Sequence, residues 1–378
     1  MKQRVVIVGG GVAALEAALV LHDLAGERAT VEIYSARQDF VYRPYAVGRP
    51  FGTVLKTYDL PALAVRCGAR FHSDSIVSVD AETRRVDTFN GDSVPYDYVL
   101  IAAGASRQWP VSGATAFWGI GDVTDVEEII RRLKARQIRR SAFTMPNAGC
   151  WSLPMYELAL LTEAELSREG VEDCELTIVT PEDAPMQVFG DGVSKAVATL
   201  LGERGIEVIS GTRPVGFHGG RLQAVPNASL DFDEVISLPR IEGRAVSGLI
   251  HDAEGFLRID DHCRAMHRER VYAAGDITSF PVRQGGIAAQ QADVAAEAIA
   301  AELGVPISPS ALDPVLRGVL WTGYEPVYLQ NRLGGGDGDA STFSTEPPWK
   351  GGKEKIVARR LTSFLAEVDA EHDVEVRK

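Results

Sequence analysis

The sequence predicts an α/β fold built from two βαβ units of the dinucleotide-binding type, with a small C-terminal region after them. Three observations predict it. The apolar run Val5-Val6-Ile7-Val8 leads into Gly9-Gly10-Gly11-Val12-Ala13-Ala14 and a helical pattern over 15–24. A second strand–helix alternation starts near Ser141. A late apolar strand, Val271-Tyr272-Ala273-Ala274, ends in Gly275-Asp276 and precedes a long Ala-rich helix. Strands that alternate with helices form parallel sheets, and ligands bind in the crevice beyond the strands' carboxyl ends.

The first turn has the chemistry that a pyrophosphate needs. Gly9 allows a tight turn, and Gly11 leaves room for the backbone to approach phosphates. Ala14 is small enough for the helix to lie on the strand, and the helix N-terminus offers free N–H groups and a positive dipole end. A second strand over 30–34 ends at Ser35, where Rossmann folds often place an acid on the ribose. Ser35 can serve there only as a neutral partner. Alternating stretches around Asn90-Gly91 predict a small meander within 66–95. Tyr98-Val99-Leu100-Ile101 then reads as a buried strand, ending in the small residues Ala102-Ala103-Gly104 where a bulky side chain would block a cofactor.

From Ser141 the pattern repeats: strand 141–144, helix 155–169, strand 176–179, helix 193–204 and strand 207–209. The chain returns to the first unit near Gly248. The predicted organisation is therefore 1–108 and 245–306 as a discontinuous first domain, 109–244 as an inserted second Rossmann-like domain, and 307–378 as the C-terminal region. Residues 333–352 are rich in Gly, Ser and Pro and predict a loop, and 353–368 resumes helical spacing.

Composition narrows the function. The 378 residues are 45% hydrophobic and 24% charged, ordinary for a globular chain. A net charge of -13 argues against nucleic acid and anionic membranes as partners. No apolar run approaches the ~20 residues of a spanning helix. Four cysteines without C-x-x-C spacing, and seven scattered histidines, predict no metal site and a reducing, cytoplasmic setting.

Together, the Gly9–Gly11–Ala14 turn, the Ala103-Gly104 strand end and Gly275-Asp276 resemble the FAD signature of the two-dinucleotide-domain flavoproteins. That superfamily includes disulfide reductases, type II NADH dehydrogenases and sulfide:quinone oxidoreductases. The resemblance implies an FAD-dependent oxidoreductase, with Asp276 on the ribityl chain. Phe40-Val41-Tyr42-Arg43-Pro44-Tyr45 resembles the segment that crosses the flavin ring in the latter two groups, which would place Arg43 near the pyrophosphate and Pro44 against the ring. Residues 281–292, with Arg283, Gln284, Gly285 and Ile287, resemble their helix whose N-terminus points at the ring. Such a helix would favour the negative charge that reduction brings. A quinone acceptor is suggested by the same likeness; a homodimer is a separate expectation, and the sequence does not identify the oligomeric state.

The donor is less constrained. After strand 141–144 the chain reads Thr144-Met145-Pro146-Asn147-Ala148-Gly149-Cys150-Trp151-Ser152-Leu153-Pro154, with one glycine where G-x-G-x-x-G has three. The next strand ends Thr180-Pro181-Glu182, with no Arg for a 2′-phosphate. This disfavours NADPH and leaves NADH admissible, since Tyr156-Glu157-Leu158-Ala159 resembles the helix start of type II NADH dehydrogenases. The Cys150-x-x-x-Pro154 stretch also resembles one that carries a redox cysteine in sulfide:quinone oxidoreductases. Cys150 is thus the candidate catalytic side chain, but no cysteine follows Cys263 to pair with it, which favours a passive thiol. A sulfide- or persulfide-oxidising enzyme and a flavin-binding redox sensor or electron-transfer partner are the alternatives.

Overall fold

The computed structural model describes residues 2–376 except 148, 150, 227, 334–340 and 350–351. The candidate Cys150 lies outside the described residues.

Two parallel five-stranded sheets organise the chain. The first runs in the order Val271–Ala273, Tyr98–Ile101, Gln3–Val8, Ala29–Tyr34, Ala69–His72. Its central strand is buried on both faces. Val5 and Ile7 join the core shared with the helices, and Val6 and Val8 join a second core under the meander. This is the two-sided burial expected of a parallel strand. The meander is Ile76–Asp80, Arg85–Thr88 and Ser93–Pro95.

Among the described residues there are seven α-helices, in chain order: α1 Val12–Ala25, α2 Leu60–Arg66, α3 Val123–Lys134, α4 Leu153–Arg168, α5 Asp191–Glu203, α6 Gly285–Glu302 and α7 Leu361–Val376. Helices α1 and α6 pack closely because their facing residues are small. Ala13, Ala14, Ala17 and Ala18 on α1, and Ala288, Ala292, Ala295 and Ala296 on α6, are all buried in one core. Larger side chains there would overpack the contact, typically by about 1–3 kcal/mol.

The second sheet runs Thr115–Ala116, Glu234–Ser237, Arg140–Thr144, Glu175–Val179, Glu207–Ile209. An antiparallel pair, Ala105–Gln108 with Arg240–Gly243, carries the chain between the two sheets in both directions. The C-terminal region adds a three-stranded sheet of Val315–Leu320, Val327–Arg332 and Thr342–Ser344.

Two expectations for this region change. Thr342–Ser344 pairs with Val327–Arg332 inside the stretch expected to be a loop. The expected helix over 353–368 begins only at Leu361. Tertiary bonds hold the residues before it: the Ile356 N–H donates to the Tyr42 hydroxyl at 2.8 Å, and Lys355 pairs with Glu157. From Leu361 the helix docks on the first domain, burying Leu361, Phe364 and Leu365. Glu16 of α1 accepts the N–H groups of Arg360 at 2.8 Å and Leu361 at 2.6 Å, capping α7 from outside. Among the described residues no helix is long and apolar enough to cross a membrane, and no group of three or more His, Cys, Asp or Glu could hold a metal ion.

Candidate active site

The carboxyl edge of the first sheet gathers the three separated motifs. Gly9 leaves the sheet with φ +115, its N–H bonded to the Tyr34 carbonyl at 2.8 Å. A Cβ on Gly9 would lie 2.3 Å from the Ala102 carbonyl oxygen, so the turn presses directly on the neighbouring strand end. Gly11 differs: a Cβ there meets nothing within 4 Å, and the residue faces open space at the start of α1. No side chain caps that helix. Its first N–H groups are therefore available to an anion, as a bound pyrophosphate requires. Ala14 is fully buried beneath the turn. Gly275 sits between Ala13 of α1 and Ala288 of α6, each 3.4 Å from where its Cβ would be. The Gln291 side chain accepts its N–H at 2.7 Å, satisfying the chain where it departs from the sheet.

Asp276 follows. Asp276 is half-buried and Arg43 is exposed, as suits groups that line an open crevice. Burial pushes the Asp276 carboxyl up, opposed by the positive fields of Arg43 and Arg283. Enclosure lowers the Arg43 guanidinium, opposed by Asp276. Each group feels the other's charge, and the Arg43 guanidinium lies 5.3 Å from the Trp118 ring centre. Pro44 is the second residue of a 3-10 segment, Arg43–Phe51. Ala103 and Gly104 close the strand end, Gly104 at φ +69 with open space around it. The turn, the uncapped helix and the carboxylate of Asp276 in the positive field of Arg43 and Arg283 fit a dinucleotide with a pyrophosphate and a polyol chain.

Two predicted residues are placed differently from their expected roles. The Ser35 hydroxyl is buried and bonded to the backbone of Arg37, accepting its N–H at 3.1 Å, so it braces a turn. The Ile287 N–H at the start of α6 is taken by the Gln284 side chain at 3.0 Å, and that side chain also donates to the Arg317 carbonyl. Gly285 remains at the helix start, packed against Ile356.

Ile356 reveals residues that pattern reading missed. Lys355 and Glu157 form an ion pair at 2.5 Å, with side chains 3% and 1% exposed. Glu157 also accepts the Trp321 N–H at 2.8 Å, and the Lys355 ammonium lies 4.0 Å from the Trp321 ring centre. Burial pushes Glu157 up and Lys355 down, each opposed by the other's charge. Trp321 packs against Tyr45 at 5.2 Å, and Tyr45 meets Tyr42 edge-on at 5.0 Å. The Tyr45 hydroxyl donates to Glu354 at 2.9 Å. An aromatic wall with a buried ion pair therefore stands between α4, the Arg43–Phe51 segment and the start of α6. Lys355 and Trp321 sit in no motif, and only tertiary structure brings them here.

The second unit shows a different use of its helix terminus. Glu182, expected near a nucleotide ribose, is turned inward and 3% exposed. It accepts the Tyr156 hydroxyl at 2.6 Å, Ser152 at 3.0 Å and Thr180 at 3.1 Å. Its carboxylate is therefore committed to these three hydroxyls and does not stand at the surface. The described cysteines are free. Cys67 and Cys263 are buried, and burial pushes the Cys67 thiol up to about 12 and raises Cys263 further. Cys174 is half-buried and also raised by burial.

Comparison with known proteins agrees with this geometry. The family described as pyridine nucleotide-disulphide oxidoreductase matches residues 3–299. A sulfide-quinone reductase of Aquifex aeolicus is 27% identical over 223 residues, 56% of this chain and 51% of that protein, so the match spans about half the relative's length. A mitochondrial sulfide:quinone oxidoreductase of Dictyostelium discoideum is 22% identical over 333 residues, covering 81% of this chain and 72% of that one. The crystal structure of the sulfide:quinone oxidoreductase from Aquifex aeolicus superposes with a TM-score of 0.82 at 18% identity, covering 90% of this chain and 86% of that chain. At that identity the superposition establishes the fold.

Proposed function

Because the chain belongs to the pyridine nucleotide-disulphide oxidoreductase family, a family of FAD-binding oxidoreductases, we propose that it passes two electrons from a small donor to a quinone-class acceptor. FAD, when bound, supplies the two-electron relay between them. In this reading Gly9, Gly11 and the N-terminus of α1 hold the pyrophosphate, and Asp276 accepts hydrogen bonds from the ribityl hydroxyls. Arg43 supplies positive charge beside them, Pro44 and Ala103-Gly104 would border the ring, and Gly285 would begin the helix that faces it. Arg283, Gln284 and Ile287 shape that helix start, while Ser35 shapes the far end of the crevice.

The observation that carries the acceptor is the Lys355–Glu157 pair against Trp321 and Tyr45. A quinone takes two protons with its two electrons. A flat apolar ring suits an aromatic wall, and a buried ammonium held by a carboxylate can donate a proton at Nζ and recover it through Glu157. The names of the relatives, sulfide-quinone reductase and sulfide:quinone oxidoreductase, point to the same acceptor class. The test is reoxidation of the reduced, FAD-loaded protein by a soluble quinone. Lys355→Met should slow that step about 10²-fold or more, and leave reduction by dithionite unchanged. Equal reoxidation rates in both proteins would remove Lys355 from the acceptor site.

Sulfide as the donor is a second reading, favoured by the same names. It depends on Cys150 acting without a second accessible thiol, since two of the described cysteines are buried and all three are shifted away from thiolate.

A further inference from the structure

A Rossmann unit binds a dinucleotide by offering the pyrophosphate the free N–H groups of its first crossover helix. In the second sheet that helix is α4, and a carboxylate from the chain itself is bonded to the side chains of Ser152 and Tyr156 at its start. Glu182 follows the strand Glu175–Val179, the position from which an acid ordinarily reaches outward to a ribose. Here its backbone is tied down by the Gly211 N–H, donated to its carbonyl at 2.8 Å, and its side chain turns inward. One carboxylate oxygen accepts from Ser152, the residue that precedes α4, and the other from Tyr156 in the helix's first turn. Both donors are buried.

The remaining donors at this terminus are depleted as well. Pro154 has no N–H, and the Met155 N–H goes to the Ser152 carbonyl at 3.0 Å. Trp151 lies 5.9 Å from the Phe189 ring centre, placing a bulky indole in the turn where a glycine would admit phosphate. Three independent features thus act in one direction: an internal anion, missing N–H groups and steric bulk.

We propose that Glu182 is a specificity-determining residue that closes the second Rossmann crevice to nicotinamide dinucleotides. It occupies the anion position at the start of α4, so the electron donor is a small reductant that reaches the flavin without a nucleotide handle. This rests on the flavin oxidoreductase function proposed above and narrows its donor. Tyr156, Ser152 and Thr180 are positioning residues that hold the carboxylate in place.

The test is calorimetric titration of the FAD-loaded protein with ADP-ribose and with NADH under anaerobic conditions. Wild type should give no saturable binding of either. Glu182→Gly, which empties the position, should bind ADP-ribose at least about tenfold more tightly than the wild-type limit. Glu182→Gln removes the charge but keeps the bulk and should gain less. If Glu182→Gly loses its flavin or fails to fold, the Gln variant decides. Saturable binding of ADP-ribose by wild type would overturn the proposal, as would folded variants that gain nothing. Failure of the flavin function itself would show separately, as a wild-type protein that holds no FAD.

Discussion

Lys355 and Glu157 meet at 2.5 Å although 198 residues separate them, and both side chains are almost wholly buried. A buried pair is not a strong source of net stability, because desolvation of both charges offsets their attraction. Losing one partner is another matter. Lys355→Met should destabilise the FAD-loaded protein by about 3–5 kcal/mol, and the double replacement Glu157→Leu with Lys355→Met should recover most of that loss. Urea denaturation of the two variants checks this. A loss below about 1 kcal/mol in the single variant would mean that the pair is not buried in solution.

Gly9 and Gly11 separate folding from cofactor binding. Gly9→Ala places a Cβ against the Ala102 carbonyl at a left-handed φ, and should weaken the fold by about 1–3 kcal/mol even without cofactor. Gly11→Val faces open space, so its apo stability should stay within about 0.5 kcal/mol of wild type. Its FAD affinity should nonetheless fall at least about tenfold, because the side chain projects where phosphate approaches. Thermal denaturation of the apoproteins and equilibrium FAD titration measure the two effects. A Gly11→Val protein with wild-type affinity would place the pyrophosphate elsewhere.

The motif-borne half of this site was legible in the sequence. Strand, glycine turn and helix at 5–24 are local, and their chemistry is set by residue type, so Gly9, Gly11 and Ala14 fall where expected. The position of Asp276 was legible because Gly275-Asp276 follows a short apolar strand, which the structure places in the first sheet as Val271–Ala273. The other half was not. Lys355 and Trp321 are brought to α4 by the C-terminal strands, and no periodicity marks either. Ser35 and Glu182 stand at the expected positions of their folds, yet backbone and side-chain donors within reach turn them inward. The false helix start near residue 353 has the same origin: the 3.6-residue spacing of Ile356 and its successors is overridden by the bonds that Tyr42 and Glu157 make to that segment.

Asp293 gives the chain a pH dependence. It lies on α6 beside Glu16 of α1, with Arg360 at 3.4 Å and Arg359 near, and Arg360 also holds Asp23. Burial and the neighbouring Glu16 push the Asp293 carboxyl up to about 8, from an ordinary 3.8. The native state therefore holds a proton that the unfolded chain has released. This contribution to stability is complete below the ordinary value and is lost as pH rises through about 8. Docking of α7 should loosen progressively as pH rises from the ordinary value of 3.8 and level off above about 8. Asp293→Asn should flatten the trend. Hydrogen exchange across Leu361–Val376 at a series of pH values is the measurement, and parallel profiles in the two proteins would refute the coupling.

The cysteines should be chemically quiet. Cys67 and Cys263 are fully buried and shifted away from thiolate, so neither should react with a thiol reagent before unfolding. Cys150→Ser should leave reduction of the flavin by sulfide unchanged, at whatever rate wild type shows. Rapid bleaching by sulfide that this substitution abolishes would establish Cys150 as the redox group and the sulfide-oxidising function with it.

The most direct measurement is anaerobic. The FAD-loaded protein is reduced with one equivalent of dithionite, then mixed with a soluble short-chain quinone while the visible flavin band is followed. The expected result is full return of the oxidised band with one quinone reduced per flavin, on a timescale of turnover. A protein that stays colourless after reconstitution with FAD, or a reduced flavin that persists in the presence of quinone, would contradict two-electron transfer to a quinone at this site.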